Sequence, residues 1–177
     1  MKIIALAVLL AVGPVFGATN DLRQTVRQEA QKCADALLAG NYETVIGYTH
    51  PRIVQLMGGK GPMLDTLKRG TKDMAAKGVA IEKIAISVPL DPKTSDGLLY
   101  AMIPETMTIK APGGTITKEN MMVGLSYDSG KKWVFIDADA LTDPATKAAL
   151  PELVGKITQT AQKPPVFVKD PSATKQP

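Results

Sequence analysis

His50 is the single histidine of the chain, two residues after Tyr48 and directly before Pro51. An imidazole exchanges a proton near neutral pH, and a tyrosine can polarise a carbonyl by donating its hydroxyl hydrogen. Joined by an inward carboxylate, the pair could enolise or dehydrate a small substrate. Glu105, Glu119 and Asp137 are the acids to consider, and Asp137 leads because it shares a strand phase with Trp133 and Phe135. The catalytic candidates are therefore His50, Tyr48 and Asp137. Against them stands a structural account, in which His50 tethers the His-Pro turn to the backbone while Tyr42 and Tyr48 pack in the core. An acid working on a carbon substrate needs apolar surroundings to tune its proton affinity. Glu105 falls at an expected bend and the other two acids near strand ends, so all three read as solvated. The structural account is preferred.

Other chemistries drop out on residue types alone. One histidine and Cys33, the single cysteine, reproduce no zinc spacing and allow no intrachain disulfide. Asp137, Asp139 and Asp143 could offer oxygens to calcium, but no glycine-turn loop surrounds them, and solvation accounts for them. Nucleophile elbow, phosphate loop and dinucleotide fingerprint are all missing. Neither metal nor cofactor is expected. The 21 Lys+Arg and 17 Asp+Glu give a charge of +4, with the cations dispersed and not interleaved with aromatics. A dedicated nucleic-acid surface needs clustered cations, so that partner is excluded. What remains is apolar. Met102, Met107, Met121 and Met122 fall on two predicted strands, and flexible thioethers suit an adaptable pocket. Tyr42, Tyr100, Met102, Met121 and Trp133 are the ligand-binding candidates, with ordinary core packing as the alternative.

The elements that would position these residues divide into a helical half, a strand half and a tail. Asn20 or Thr19 can cap a helix with its stripe at Leu22, Val26, Ala30, Cys33, Leu37 and Leu38, stopped by Gly40. Tyr42–Tyr48 reads as a short second helix, ended by His50-Pro51. Arg52–Met57 is an ambiguous apolar piece closed by Gly58-Gly59. Pro62 suits the first turn of a helix carrying Met63, Leu64, Leu67, Met74 and Ala75, with Gly78 as its stop. Beyond Val79 the period becomes two. Ile84, Ile86 and Val88 alternate, a loop follows, and Leu98–Ile109 is a long strand. Its apolar phase switches from Tyr100 and Met102 to Met107 and Ile109, which predicts a bulge or bend at Pro104-Glu105. Thr115–Tyr127 and Lys132–Asp137 complete a meander through the Asp128-Ser129-Gly130 turn. Both faces of the last strand are apolar, which predicts a central position. Asp143–Ala161 is limited to short helical pieces by Pro151 and Gly155.

Two segments fall outside this domain. Lys2, the apolar run Ile3–Val12 and small or aliphatic residues up to Gly17 form a secretory leader, with cleavage expected between Gly17 and Ala18. The apolar run is shorter than the roughly 20 residues a bilayer core requires. After cleavage no integral membrane segment is expected. The other segment, 162–177, is rich in proline and lysine and reads as an extended or disordered tail. Within it Val166-Phe167-Val168 is an apolar knot able to pin the tail to a sheet edge or a partner. The expected layout is leader 1–17, one α+β domain over 18–161, and the tail.

Helices followed by a bent antiparallel meander make an α+β order. With Ala39-Gly40-Asn41-Tyr42, Tyr48-Thr49-His50-Pro51, Gly58-Gly59 and Trp133-Val134-Phe135-Ile136-Asp137, it resembles the nuclear-transport-factor-like superfamily over roughly residues 21–138. The resemblance implies a cone-shaped fold, with N-terminal helices packed on a bent antiparallel sheet of about four strands and a cavity between them. Members usually carry a strand pair where this chain has only Arg52–Met57. The superfamily includes ketosteroid isomerase, dehydratases and many binding or assembly modules, so a shared fold does not choose among these uses. The reading reached is an exported, secreted or periplasmic, non-catalytic binding module for a small apolar ligand or an envelope protein. A homodimer is left open. The alternative is an isomerase or lyase working by proton transfer in the helix–sheet cavity.

Overall fold

The computed structural model describes residues 16–157 and 163–170, of which 16–20 are described by backbone alone. Four helices come first: α1 (Phe16–Leu38), α2 (Tyr42–Tyr48), α3 (Pro51–Leu56) and α4 (Lys60–Ala76). The strands β1 (Ala80–Ile86), β2 (Lys93–Ser95), β3 (Leu98–Ala111), β4 (Gly114–Ser126) and β5 (Val134–Asp137) follow. A 3-10 turn over Ala138–Thr142, helix α5 (Pro144–Ala149), a second 3-10 turn over Pro151–Leu153 and strand β6 (Val166–Lys169) close the order. The architecture is α+β, with an antiparallel sheet of six strands rather than about four. The leader's residues 1–15 and the domain–tail boundary after residue 161 lie outside the described residues. Phe16 and Gly17 begin α1, and the helix runs through Thr19 and Asn20, where a cap was expected.

The sheet is built on one long hairpin. β3 and β4 pair without a break from Leu99↔Ser126 to Ala111↔Gly114. β1 and β2 pair with successive stretches of the outer edge of β3, while β6 and β5 do the same on β4. The bulge expected at Pro104-Glu105 is not in β3, since Glu105 stays in register with Asn120. The register shift lies across the ladder in β1, between Ile81 and Lys83. What changes along β3 is the covering layer. Leu99, Ala101 and Ile103 face α1, and Leu98 and Tyr100 face the C-terminal turns. Those turns, carrying Leu141, Leu150 and Leu153, cover only the first part of the strand. The apolar phase therefore switches although the backbone does not.

β5 corrects a second expectation. It ends the sheet path instead of lying inside it, yet both its faces are covered: Phe135 joins the α1 core and Ile136 the core beneath the C-terminal turns. Its outer edge is met by a parallel bridge from Thr49 to Phe135 and by His50 N–H donating to the Phe135 carbonyl at 3.2 Å. Apolarity on two faces reports covering layers, whatever the strand's place in the order.

α1 seats on the sheet through small residues. Val26, Ala30 and Ala34 are buried, Leu22, Cys33 and Leu37 pack at the margin, and Leu38 is exposed. Gly124 lies beneath them, and a Cβ there would meet Val26 Cγ2 at 3.0 Å and Ile103 Cδ1 and Phe135 Cε1 at 3.1 Å. The missing side chain sets how closely helix and sheet approach. Arg52–Met57 resolves as α3, with Pro51 at its first position. Ile46, Val54 and Met63 form a small core joining α2, α3 and α4. Val88, expected to continue the alternation of β1, lies beyond the strand and is exposed, as is Ala75 on α4.

Candidate functional site

A cavity of about 340 Å³ lies between the C-terminal half of α1 and the middle of the sheet. Cys33, Ala34 and Leu37 supply its roof, Ile84, Met107 and Met122 its floor, and Ile53, Phe135 and Ala140 its sides. Strand alternation explains what else points in. Glu105 is in phase with Ile103 and Met107, so it faces α1, and register sets Asn120 opposite it. Asp137, at the end of β5, pairs with Met122 and so falls beside Asn120. Asn120 Nδ2 donates to Glu105 Oε1 at 3.0 Å and to Asp137 Oδ2 at 2.9 Å. Glu105 and Asn120 are each 8% exposed, whereas Asp137 stands in the open at the mouth.

Glu105 overturns the expectation that the candidate acids are solvated. Burial raises its pKa above the ordinary carboxylate value and the charge of Asp137 adds to the rise, while the Asn120 hydrogen bond and Lys118 oppose it. Burial, with the Glu105 charge, also pushes the Cys33 thiol up to about 11, so this thiol stays protonated. Glu119 is exposed and pairs with Lys163 at 3.1 Å. Asp137 Oδ1 accepts the Asp139 N–H at 2.8 Å, and Asp143 accepts that of Thr146 at 2.8 Å. Two of the three aspartates considered for calcium thus cap the turns that follow them.

The other residues singled out from sequence sit elsewhere. His50 is buried, and its Nδ1 accepts the Arg52 N–H at 3.2 Å, capping α3 across the His-Pro turn. A neutral ring that accepts at Nδ1 carries its hydrogen on Nε2, which faces Tyr127 Oη at 2.8 Å. Tyr127 in turn donates to Glu152 at 3.0 Å, and Arg52 pairs with the same carboxylate. Burial, helped by Arg52, holds the His50 pKa below its usual value. Tyr48 donates to Glu29 at 2.9 Å, and burial with that contact lifts its hydroxyl to about 12. Tyr42 donates to Thr71 at 2.8 Å. Tyr100, Met102 and Met121 belong to the core beneath the C-terminal turns, on the opposite face of the sheet from the cavity. Trp133 is buried beside α1 and donates to the Gly130 carbonyl at 3.1 Å. Of the catalytic and ligand-binding candidates chosen from sequence, Asp137 is the one brought to the cavity, and Met107 and Met122 from the strand methionines join it in the wall.

Asn120 was not singled out, and Glu105 was set aside. The signal for both was phase. Glu105 continues the row Leu99, Ala101 and Ile103, and Asn120 lies two and four residues before Met122 and Gly124 on the same face. A larger groove of about 760 Å³ runs along the outside of α1 past Val88 and Pro89. Its arginines are already engaged: Arg23 donates to the Pro89 carbonyl and to Asp91, and Arg27 to the Ile86 carbonyl. Among the described residues no helix is long and apolar enough to cross a membrane. No protein-family model matches the chain, and comparison with curated proteins and with solved structures gives no significant match either.

Proposed function

We propose that the chain binds one small, largely apolar molecule between α1 and the sheet, its polar end held at Glu105, Asn120 and Asp137. The observation that carries this reading is the Glu105 carboxyl, 8% exposed in a pocket whose walls are mostly apolar. Burying a carboxylate costs free energy, and such perturbed groups gather where a ligand makes use of them. The volume is within the range of small-molecule sites, roughly 300–1,000 Å³. Export through a cleaved leader and membership of the nuclear-transport-factor-like superfamily are parts of the same proposal. The α+β order and the helix–sheet cavity are compatible with that membership. For export, an intact mass from the native host lacking residues 1–17 is the expected result.

A second reading has its own support. With raised proton affinity, Glu105 can take a proton from a carbon beside a carbonyl and return it to a neighbouring atom, as an isomerase or lyase does. Asp137 would share this work, because His50 and Tyr48 lie outside the cavity. Titrating a small-molecule panel against methyl-labelled methionine tests both readings, with Met107 and Met122 as reporters in the wall. Binding should move those two methyls, and failure to move them with any compound removes the proposal. Turnover of a bound compound that falls about 10²- to 10⁴-fold in Glu105→Gln, with binding retained, would select the catalytic reading.

A further inference from the structure

We infer that the polar end of the ligand is cationic, an amine carried on a small apolar body. This inference rests on the cavity reading above and adds the chemical class of the occupant. The cavity is rich in acceptors and poor in donors. Asn120 Nδ2 directs its hydrogens at Glu105 and Asp137, so this amide nitrogen has none left for a ligand. The Thr49 hydroxyl, also in the wall, donates to the Val45 carbonyl at 2.9 Å. Glu105 Oε2 accepts no hydrogen bond from any of the described residues. An ammonium group brings the donors that this arrangement lacks.

Charge points the same way. Glu105 and Asp137 stand at one end of the cavity, and among the described residues the cation whose charge reaches Glu105 is Lys118 on β4, which is 34% exposed and lies 4.0 Å from Asp139. α1 contributes Cys33, Ala34 and Leu37 to the wall and no charge. Arg52 of α3 is turned to Glu152. A carboxylate ligand would add to the negative charge, and a neutral carbonyl would bring neither a positive charge nor a donor to Glu105. Among the described residues no group of three or more His, Cys, Asp and Glu side chains could hold a metal ion. The cation that fits is organic, with its chain against Leu37, Ile84, Met107 and Met122.

Three probes of one shape separate the outcomes: hexylammonium, hexanol and hexanoate, each titrated into the full chain with calorimetry and methionine-methyl spectra as readouts. Hexylammonium should bind at least 10-fold more tightly than hexanol, with hexanoate weakest. Glu105→Gln keeps the size of the side chain and an acceptor for Asn120, so it should abolish the preference for hexylammonium over hexanol, read as the ratio of the two affinities in the same variant. Asp137→Asn, at the exposed mouth, should reduce the preference too, and it serves if Glu105→Gln does not fold. Raising the pH through the titration of Glu105 should tighten hexylammonium alone. Equal or tighter binding of hexanol, or a preference that survives both substitutions, overturns the cationic assignment and leaves the cavity reading intact. If none of the three moves the Met107 and Met122 methyls, the cavity reading falls with it.

Discussion

Glu105→Gln should make the unliganded protein more stable at neutral pH, and the gain should disappear in acid. The neutral amide keeps an oxygen for Asn120, so the substitution removes charge with little change in packing or hydrogen bonding. Burial, with Asp137 adding to it, raises the proton affinity of Glu105 in the folded chain. Between the ordinary carboxylate range and that raised value, the folded state holds a proton that the unfolded state has released. Unfolding then releases a proton, and native stability falls as pH rises through the window. The variant carries no such loss. Each unit by which the folded pKa exceeds the unfolded one contributes about 1.4 kcal/mol to the difference, or about 3–6 °C in Tm for a chain of this length. The assay is a pair of urea titrations at each pH from 3.5 to 8, with Tm as a second measure. The gap between variant and native protein should open across the window and stay constant above it. A flat gap, or one that favours the native chain as pH rises, would show that the ionised carboxylate is fully compensated. The physical basis for a ligand at this site would then be gone.

Gly124→Ala should cost about 1–3 kcal/mol, because its methyl meets Val26, Ile103 and Phe135 at 3.0–3.1 Å in a filled core. The urea midpoint should drop with an unchanged slope, and Val26→Ala in the same chain should recover part of the loss; full additivity would show that the two do not touch. His50 is held below its usual pKa of 6.5, so the unfolded chain binds the extra proton and stability should decline as pH falls beneath that value. His50→Asn should flatten the decline, measured by thermal melts between pH 5 and 7.5, and an unaltered slope would refute the assignment. A stop after Gln162 removes β6, whose Val166, Phe167 and Val168 are all exposed. Tm should change little, but light scattering should rise with concentration, because the β4 edge at Gly114–Thr117 loses its cover.

The sequence is most legible where a local rule decides. Gly40 and Gly78 stop their helices with φ of 70° and 69°, and His50-Pro51 separates two helices with the imidazole as cap. Reading fails where the deciding partner is far along the chain. The face switch in β3 depends on turns some forty residues later, so it reads as a bulge from the strand alone. β6 lies among prolines, and its partner stretch comes about fifty residues earlier, so Val166-Phe167-Val168 reads as an apolar knot for a sheet edge or a partner, with nothing local to choose between them or to name the edge. The polar end of the cavity is hidden for a different reason. Glu105 and Asn120 are polar residues in apolar rows, and a single row does not distinguish a solvated interruption from a polar group aimed into a pocket. The register Glu105↔Asn120 does, because it brings two such interruptions together under one helix.

The placement of β6 has a consequence for how the chain is made. Gly114–Thr117 leaves the ribosome about fifty residues before Val166–Lys169, the segment that pairs with it. At 5–20 residues per second that interval is roughly 2.5–10 s. Throughout it, the growing chain offers a bare hydrogen-bonding border on β4 to any neighbouring nascent chain. Gly114 is what lets the last strand seat there, since a Cβ at this position would stand 2.8 Å from Phe167 Cζ and collide with the backbone of Val168. The seat that admits the last strand so closely thus stays empty until that strand is made. Slowing translation between residues 118 and 165 should lengthen that exposure and raise co-translational aggregation, with no change in the finished protein.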